Sequence, residues 1–221
     1  MGSSNGTGST GAGQAIDLRQ PFGTTNYLIA TEGNFPSRNL SSEPLLGSVA
    51  MFAGNFAPRG WQFCNGQILS IASNTALFSI LGTTYGGNGR TTFALPDLRG
   101  RVPIGIGNGP GLEPIQLGQE LGGETAVMPS VTEHDHSAGA FTTGPTGSTT
   151  TLQTTMPSLG LMPVVAIDGL YPIRSLSTEP GIGDIAWFAG NFAPRGWAQA
   201  SGQLLPISTS GNQALFSLFG T

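Results

Sequence analysis

Ala53-Gly54-Asn55-Phe56-Ala57-Pro58-Arg59-Gly60-Trp61 returns unchanged as Ala189 to Trp197, at an offset of 136 residues. Pro58-Arg59-Gly60 is a turn signal set against aromatic and apolar neighbours, so an identical copy implies that one supersecondary unit is built twice. The same offset aligns Pro21 with Pro157, Ala30 with Ala166, Gly33 with Gly169, Pro36 with Pro172, Arg38 with Arg174 and Glu43-Pro44 with Glu179-Pro180. Beyond the tryptophan it aligns Gly66-Gln67 with Gly202-Gln203 and Ile71 with Ile207. After a two-residue insertion, Ala76-Leu77-Phe78-Ser79 aligns with Ala214-Leu215-Phe216-Ser217.

The repeat divides the chain into a Ser/Gly/Thr arm (1–15), the closing segment of a repeat (16–42), one complete unit (43–176) and the head of a second unit (177–221). The second copy runs out at Gly220-Thr221, so nothing in it matches Tyr85 to Arg101 of the first. Ile182, Ile185, Trp187, Phe188, Phe192, Leu204, Leu205, Leu215, Phe216 and Leu218 need a core to enter. Two arrangements serve them. Residues 152–221 fold together as a small domain, or the head of one subunit completes the closing segment of the next, a heterologous contact that propagates into a fibre. In the second case the joint consists of Trp187, Phe188, Trp197, Leu215 and Phe216 on one side and Phe22, Tyr27, Leu28, Ile29 and Phe35 on the other.

Composition narrows the function. Charged residues make up 9% of the chain, against about 25% in soluble domains, and the eight basic residues are all arginine. A net charge of −4 without a basic cluster lacks the electrostatic footprint that nucleic acid demands. No apolar run reaches the length of a membrane span, and Met1 to Gln14 has neither the basic nor the apolar region of a secretory signal. A surface so poor in charge is covered by Thr, Ser, Asn, Gln and Gly or hidden in subunit contacts. The single cysteine, Cys64, excludes an intrachain disulfide and reads as a small core residue.

Residues 27–30, 47–52, 164–167 and 184–188 read as short strands bounded by Gly and Pro. Asn74 to Leu81 reads as a helix with Ser73 or Asn74 as N-cap and Gly82 as stop, and it recurs as Asn212 to Phe219. Pro96 and Gly100 keep Leu95 to Arg101 from being helical, and Asp97 is expected to order that loop through Arg99 or Arg101. Gly105 to Gly111, superficially a nucleotide-binding loop, has Pro110 in place of a following helix and reads as turns. The fold class is therefore mainly β with short helices and many loops.

The run from Phe52-Ala53-Gly54 through Pro58-Arg59-Gly60-Trp61, Cys64-Asn65-Gly66-Gln67, Thr83-Thr84-Tyr85-Gly86-Gly87 and Thr92-Phe93-Ala94-Leu95-Pro96-Asp97-Leu98-Arg99-Gly100-Arg101 resembles the phage tail collar domain. It is most similar to the bacterial branch often called microcystin-dependent proteins, whose chains close with a phrase similar to Asn26-Tyr27…Phe35-Pro36-Ser37-Arg38-Asn39. The resemblance covers about 16–221 and departs from the family in order, since the closing phrase both precedes and follows the complete collar unit. It implies a tail-collar-like fold with one complete unit and partial units at both ends, a trimer or a stack of interlocked subunits, and no enzymatic activity.

Glu133-His134-Asp135-His136 is the one chemical constellation. Alternation in an extended segment puts His134 and His136 on one face. Two imidazoles are too few for a closed site, but a threefold axis would gather six nitrogens, a set suited to zinc, iron or nickel. The resemblance offers an analogous His-x-His arrangement in phage fibres; a solvated loop is the plainer reading. No cofactor is required by anything else in the chain. The sequence thus points to a non-enzymatic structural subunit, homopolymeric or trimeric, in an extracellular filament or a virion or tail-like particle. The alternative is a trimeric phage-like adhesin that binds a cell-surface glycan or lipopolysaccharide through the loop 138–155 around Phe141.

Overall fold

The computed structural model of the chain describes residues 15–18, 23–36, 44–127, 154–169 and 181–219. In chain order the strands are β1 (Ala15–Asp17), β2 (Asn26–Ala30), β3 (Ser48–Phe52), β4 (Trp61–Phe63) and β5 (Ile68–Ser70), followed by the helix α1 (Thr75–Leu81). Then come β6 (Thr92–Ala94), β7 (Val102–Gly105), β8 (Glu120–Leu121), β9 (Thr125–Val127), β10 (Ser158–Ala166), β11 (Ile185–Phe188), β12 (Trp197–Gln199) and the helix α2 (Ser210–Phe219). The expected class, mainly β with two short helices, is the class observed.

The chain forms two compact units, 1–22 with 122–157 and 23–121 with 158–221. In the smaller unit β1 and β9 pair antiparallel, Ala15 opposite Val127, and the Leu18 amide extends the ladder to the Glu124 carbonyl at 2.8 Å.

The larger unit contains the repeat twice, with the same register each time. β2 lies between β3 and β4, setting Leu28 opposite Ala50 on one side and Phe63 on the other. β10 lies likewise between β11 and β12, setting Val164 opposite Ala186 and Gln199, each partner shifted by the same 136 positions. The recurrent nonapeptide supplies the corner. The Trp61 amide donates to the Pro58 carbonyl at 3.0 Å, and Gly60 between them has a φ of 78°, where a side chain would be strained. The Gly60 carbonyl then accepts from the amides of Thr31 and Glu32 just past β2. Trp197, Pro194, Gly196 (φ 79°), Ile167 and Asp168 repeat every one of these bonds. Each module therefore takes a closing strand and the head that follows it in the chain. Residues 158–221 do not form a domain of their own, because they share one unit and one core with 23–121.

The modules meet edge to edge. β3 and β11 pair antiparallel with Val49 opposite Trp187, which joins six strands in the order β12-β10-β11-β3-β2-β4. Phe188 of the second module is fully buried over Gly47, where an added methyl would lie 3.3 Å from its ring and 3.4 Å from Ile80. The Tyr85 hydroxyl donates to the Ala189 carbonyl at 2.8 Å, and burial pushes that phenol well above its ordinary pKa, so it remains a donor. Ile29, Leu46, Val49, Leu77, Ile80, Leu81, Phe93, Leu95, Leu98, Leu161, Val164 and Phe188 belong to one core.

Two sequence expectations change in detail, and a third, the partner of Asp97, resolves to one of its two candidates. β10 begins six residues before the expected 164, because Ser158–Leu161 pair in parallel with β7 and Ser158–Leu159 antiparallel with β8. Gly160 and Pro163 hide that strand from its sequence, yet Gly160 is required there because a Cβ would collide with the Gln116 carbonyl. Asn74 does not cap α1 through its side chain, whose amide instead donates to the Ser70 carbonyl at 3.0 Å. Asp97 takes Arg99, at 2.6 Å and 2.8 Å, whereas Arg101 turns to Glu120 at 2.6 Å.

The shared core gives a test of asymmetry between equivalent residues. Phe188→Ala is expected to cost about 3–5 kcal/mol in urea unfolding, while Phe52→Ala, at the equivalent but half-buried position, should cost about 1 kcal/mol. Equal losses would mean that the modules do not share a core.

Candidate assembly surface

The two modules differ in what covers their helices. In the first, β6 pairs antiparallel with β5, Leu69 opposite Phe93, and carries Phe93 beneath α1 to pack on Phe78 with ring centroids 5.5 Å apart. The chain then returns across the corner. The Leu95 amide donates to the Gln67 carbonyl, the Gly66 amide to the Pro96 carbonyl and the Leu98 amide to the Cys64 carbonyl, at 3.0, 3.2 and 2.9 Å. Phe93, Leu95 and Leu98 are buried by this path, and so are Leu77, Ile80 and Leu81 of the helix.

The second module, as described, has no such strand. Leu204 to Pro206, counterparts of β5, are unpaired, and Leu204 is 99% exposed. Leu218, counterpart of Ile80 (4%), is 36% exposed, and Phe219, counterpart of Leu81 (1%), is 62% exposed. Only Leu215, among these helical positions, retains the burial of its partner Leu77, in a small core with Val165, Ile182 and Ala198. Ile207 and Phe216 add to the exposed apolar face.

The residues expected at a subunit joint are thus distributed unevenly. Leu28, Ile29, Phe188, Trp197 and Leu215 are buried within their own chain, and Tyr27, Phe35 and Trp187 are half-buried against the same core. An intersubunit joint through them requires exchange of whole elements. Trp197 is buried with no partner for its indole N–H. Phe216, with Leu218 and Leu204 among those needing a core, lies on the exposed face. Phe219 was not singled out by the sequence; its signal is the alignment with Leu81. His134, His136, Phe141 and Phe22 lie outside the described residues. Among the described residues no group of three or more His, Cys, Asp or Glu is placed to hold a metal, and no helix is long and apolar enough to cross a membrane.

Two titratable groups lie where 95–98 crosses the corner, Asp97 on the crossing segment and Cys64 beneath it. Hydrogen bonding from Arg99 holds the half-buried Asp97 carboxyl below its ordinary range. Burial, with the Asp97 carboxylate second, pushes the Cys64 thiol up to about 12.

Residues 47–103 and 183–221 match the phage tail collar domain. The first match spans the head of the first module and the strand over α1; the second spans the head of the second module and α2. No curated protein and no solved structure matches the chain.

The Cys64 environment has a direct readout. The native thiol should resist alkylation by iodoacetamide at pH 8 and react fully in urea. The folded state holds this proton more tightly than the unfolded state does. The thiol's contribution to stability is therefore complete below about pH 8.5 and is lost as pH rises toward about 12. Rapid native alkylation would contradict the buried placement.

Proposed function

We propose, for a chain that carries phage tail collar sequence twice, a structural role in a tail-type fibre or filament, with homotypic association through the second module. The observation that carries this reading is the pair Leu218 and Phe219. They are helix positions whose counterparts are among the most buried residues of the first module, and here they are exposed, as Leu204 and Ile207 are. Several large apolar side chains exposed on one module favour an interaction site there. The rest of the chain is consistent with a passive part. It is poor in charge and has two histidines in all. The collar match supports a setting in virion tails or tail-like particles.

Association through a partner's element would share a core between subunits, as Phe188 already shares one between modules, and a shared core resists pulling better than a polar docking surface does. The adhesin alternative, with a glycan or lipopolysaccharide held by the loop around Phe141, predicts a discrete trimer with the same apolar face buried or idle.

Negative-stain electron microscopy over a rising concentration series separates the readings. Regular filaments are expected from the native chain, and Leu204→Asp with Phe219→Asp should hold it as short particles. Both side chains are exposed, so the double variant should unfold within about 0.5 kcal/mol of the native chain. Discrete trimers at every concentration would overturn the filament reading and direct attention to glycan binding.

A further inference from the structure

We infer that Asn108 is a site of self-modification: its side chain closes on the Gly109 backbone nitrogen and loses ammonia, so that ageing chains carry aspartate or isoaspartate at position 108.

The chemistry makes three demands at once. A backbone nitrogen must reach the asparagine Cγ, which a following glycine favours because it has no Cβ to obstruct the approach. That nitrogen must be free to give up its proton, and the carboxamide must be free to turn. A hydrogen bond from the nitrogen opposes the second and one to the side-chain oxygen opposes the third, so a pair held in both ways reacts only through local opening.

The described residues contain three Asn-Gly pairs, and two of them are held in both ways. A fourth, Asn5-Gly6, lies outside the described residues. The Gly66 amide donates to the Pro96 carbonyl at 3.2 Å, and Asn65 Oδ1 accepts from the Gln67 amide at 3.3 Å. The Gly89 amide donates to the Thr92 carbonyl at 3.0 Å, and Asn88 Oδ1 accepts from the amides of Arg90, Thr91 and Thr92 at 3.0, 2.9 and 3.0 Å.

Asn108-Gly109 differs on both counts. Asn108 is exposed, and among the described residues neither its carboxamide nor the Gly109 amide has a hydrogen-bond partner. The pair sits in a loop closed at its base by Gly107 and Ile115, which exchange both backbone bonds at 2.9 and 3.0 Å. Inside the loop the Leu112 amide donates to the Gly109 carbonyl at 3.0 Å, which fixes the turn after the pair without engaging its nitrogen. The glycine-rich run that imitates a nucleotide-binding loop in sequence is therefore turn structure with one chemically open peptide.

The reaction balances with water alone. The Gly109 nitrogen loses its proton to solvent and bonds to Cγ; the Cγ–Nδ2 bond breaks, and Nδ2 takes a proton from solvent and leaves as ammonia. Water then opens the cyclic imide. Attack at Cγ gives aspartate, and attack at the main-chain carbonyl carbon gives isoaspartate, with the chain running on through Cβ and Cγ. Either product adds a negative charge to a chain of net charge −4. Isoaspartate also lengthens the backbone by one carbon, inside the loop and beyond its Gly107–Ile115 closure.

The test incubates the full chain at pH 8, native and in urea, and follows it by mass spectrometry after digestion with trypsin and a glutamate-specific protease. Fragment 102–120 has Asn108 as its only asparagine, and fragment 60–90 carries Asn65 and Asn88. In the native chain Asn108 is expected to convert at least tenfold faster than Asn65 or Asn88, with a rate that rises with pH. In urea the three should converge to within a few-fold, because the reacting pair is the same. The product should include isoaspartate, read by isoaspartyl methyltransferase labelling. Asn108→Gln, whose extra methylene disfavours ring closure, should suppress conversion of 102–120 and leave the rates at 65 and 88 unchanged. Native conversion at Asn65 or Asn88 as fast as at Asn108, a native Asn108 at least tenfold slower than in urea, or aspartate as the sole product would each overturn the proposal.

Discussion

The backbone hydrogen bonding of β2 and β10 is the constraint on which the rest depends. Each head brings two short strands, β3 with β4 or β11 with β12, that do not pair with one another; the closing strand lies between them and pairs with both. Remove it and two strands of three to five residues face water with open edges, a state that sheets of this size do not survive alone. The corner is tied to the same strand, since the glycine carbonyl of each nonapeptide turn accepts two amides just beyond it. This explains why the nonapeptide is identical in its two copies while the flanking residues drift. The turn, its left-handed glycine and its carbonyl are all fixed by one hydrogen-bonded arrangement.

Given two such modules, the size of the core decides their different fates. Phe93, Leu95 and Leu98 each bring roughly 1.5–3 kcal/mol of burial to the first module and cover three helical side chains in return. The second module contributes Leu161, Val164, Phe188 and Trp197 to the core it shares with the first, and its separate cluster, Val165, Ile182, Ala198 and Leu215, is small, so it leans on the first through β3, β11 and Phe188. The pairing of modules is therefore more than a tandem array. One is a folded body, and the other is held in shape by its sheet edge while part of its helix remains apolar and open.

Much of this was legible in the sequence because the evidence came in duplicate. The alignment at 136 residues located β2, β3 and β11 and both helices within a residue or two. The partner of each strand was not legible. A repeat in sequence has no phase, so cutting the chain at 43 and 176 was as natural as cutting it between modules, and only hydrogen bonding reveals that a closing strand serves the head after it. β10 was foreshortened for a related reason. Its glycine and proline weaken the strand signal, and both are tolerated through long-range geometry, the close approach of Gln116 and the end of pairing with β7. Asn74 shows the local limit, since its cap position was recognised but its side chain makes no cap bond and instead donates its amide upstream to the Ser70 carbonyl.

The pseudosymmetry between modules carries one more consequence. A true twofold through the β3–β11 junction would bury Phe52 as deeply as Phe188, and the two do keep the same edge-to-face neighbour, Phe56 at 6.3 Å and Phe192 at 6.0 Å. Yet Phe188 rests on Gly47 beside Ile80 and Leu81, helical residues held rigidly by the strand beneath them. The equivalent glycine, Gly183, has Leu218 and Phe219 near it, from a helix that lacks that support. Phe52 has no firm pocket to enter and stays half-exposed. The asymmetry of the junction therefore follows from the uncovered helix. A strand that covered α2 would be expected to firm the pocket around Gly183 and draw Phe52 inward, coupling the state of the open face to the packing between modules.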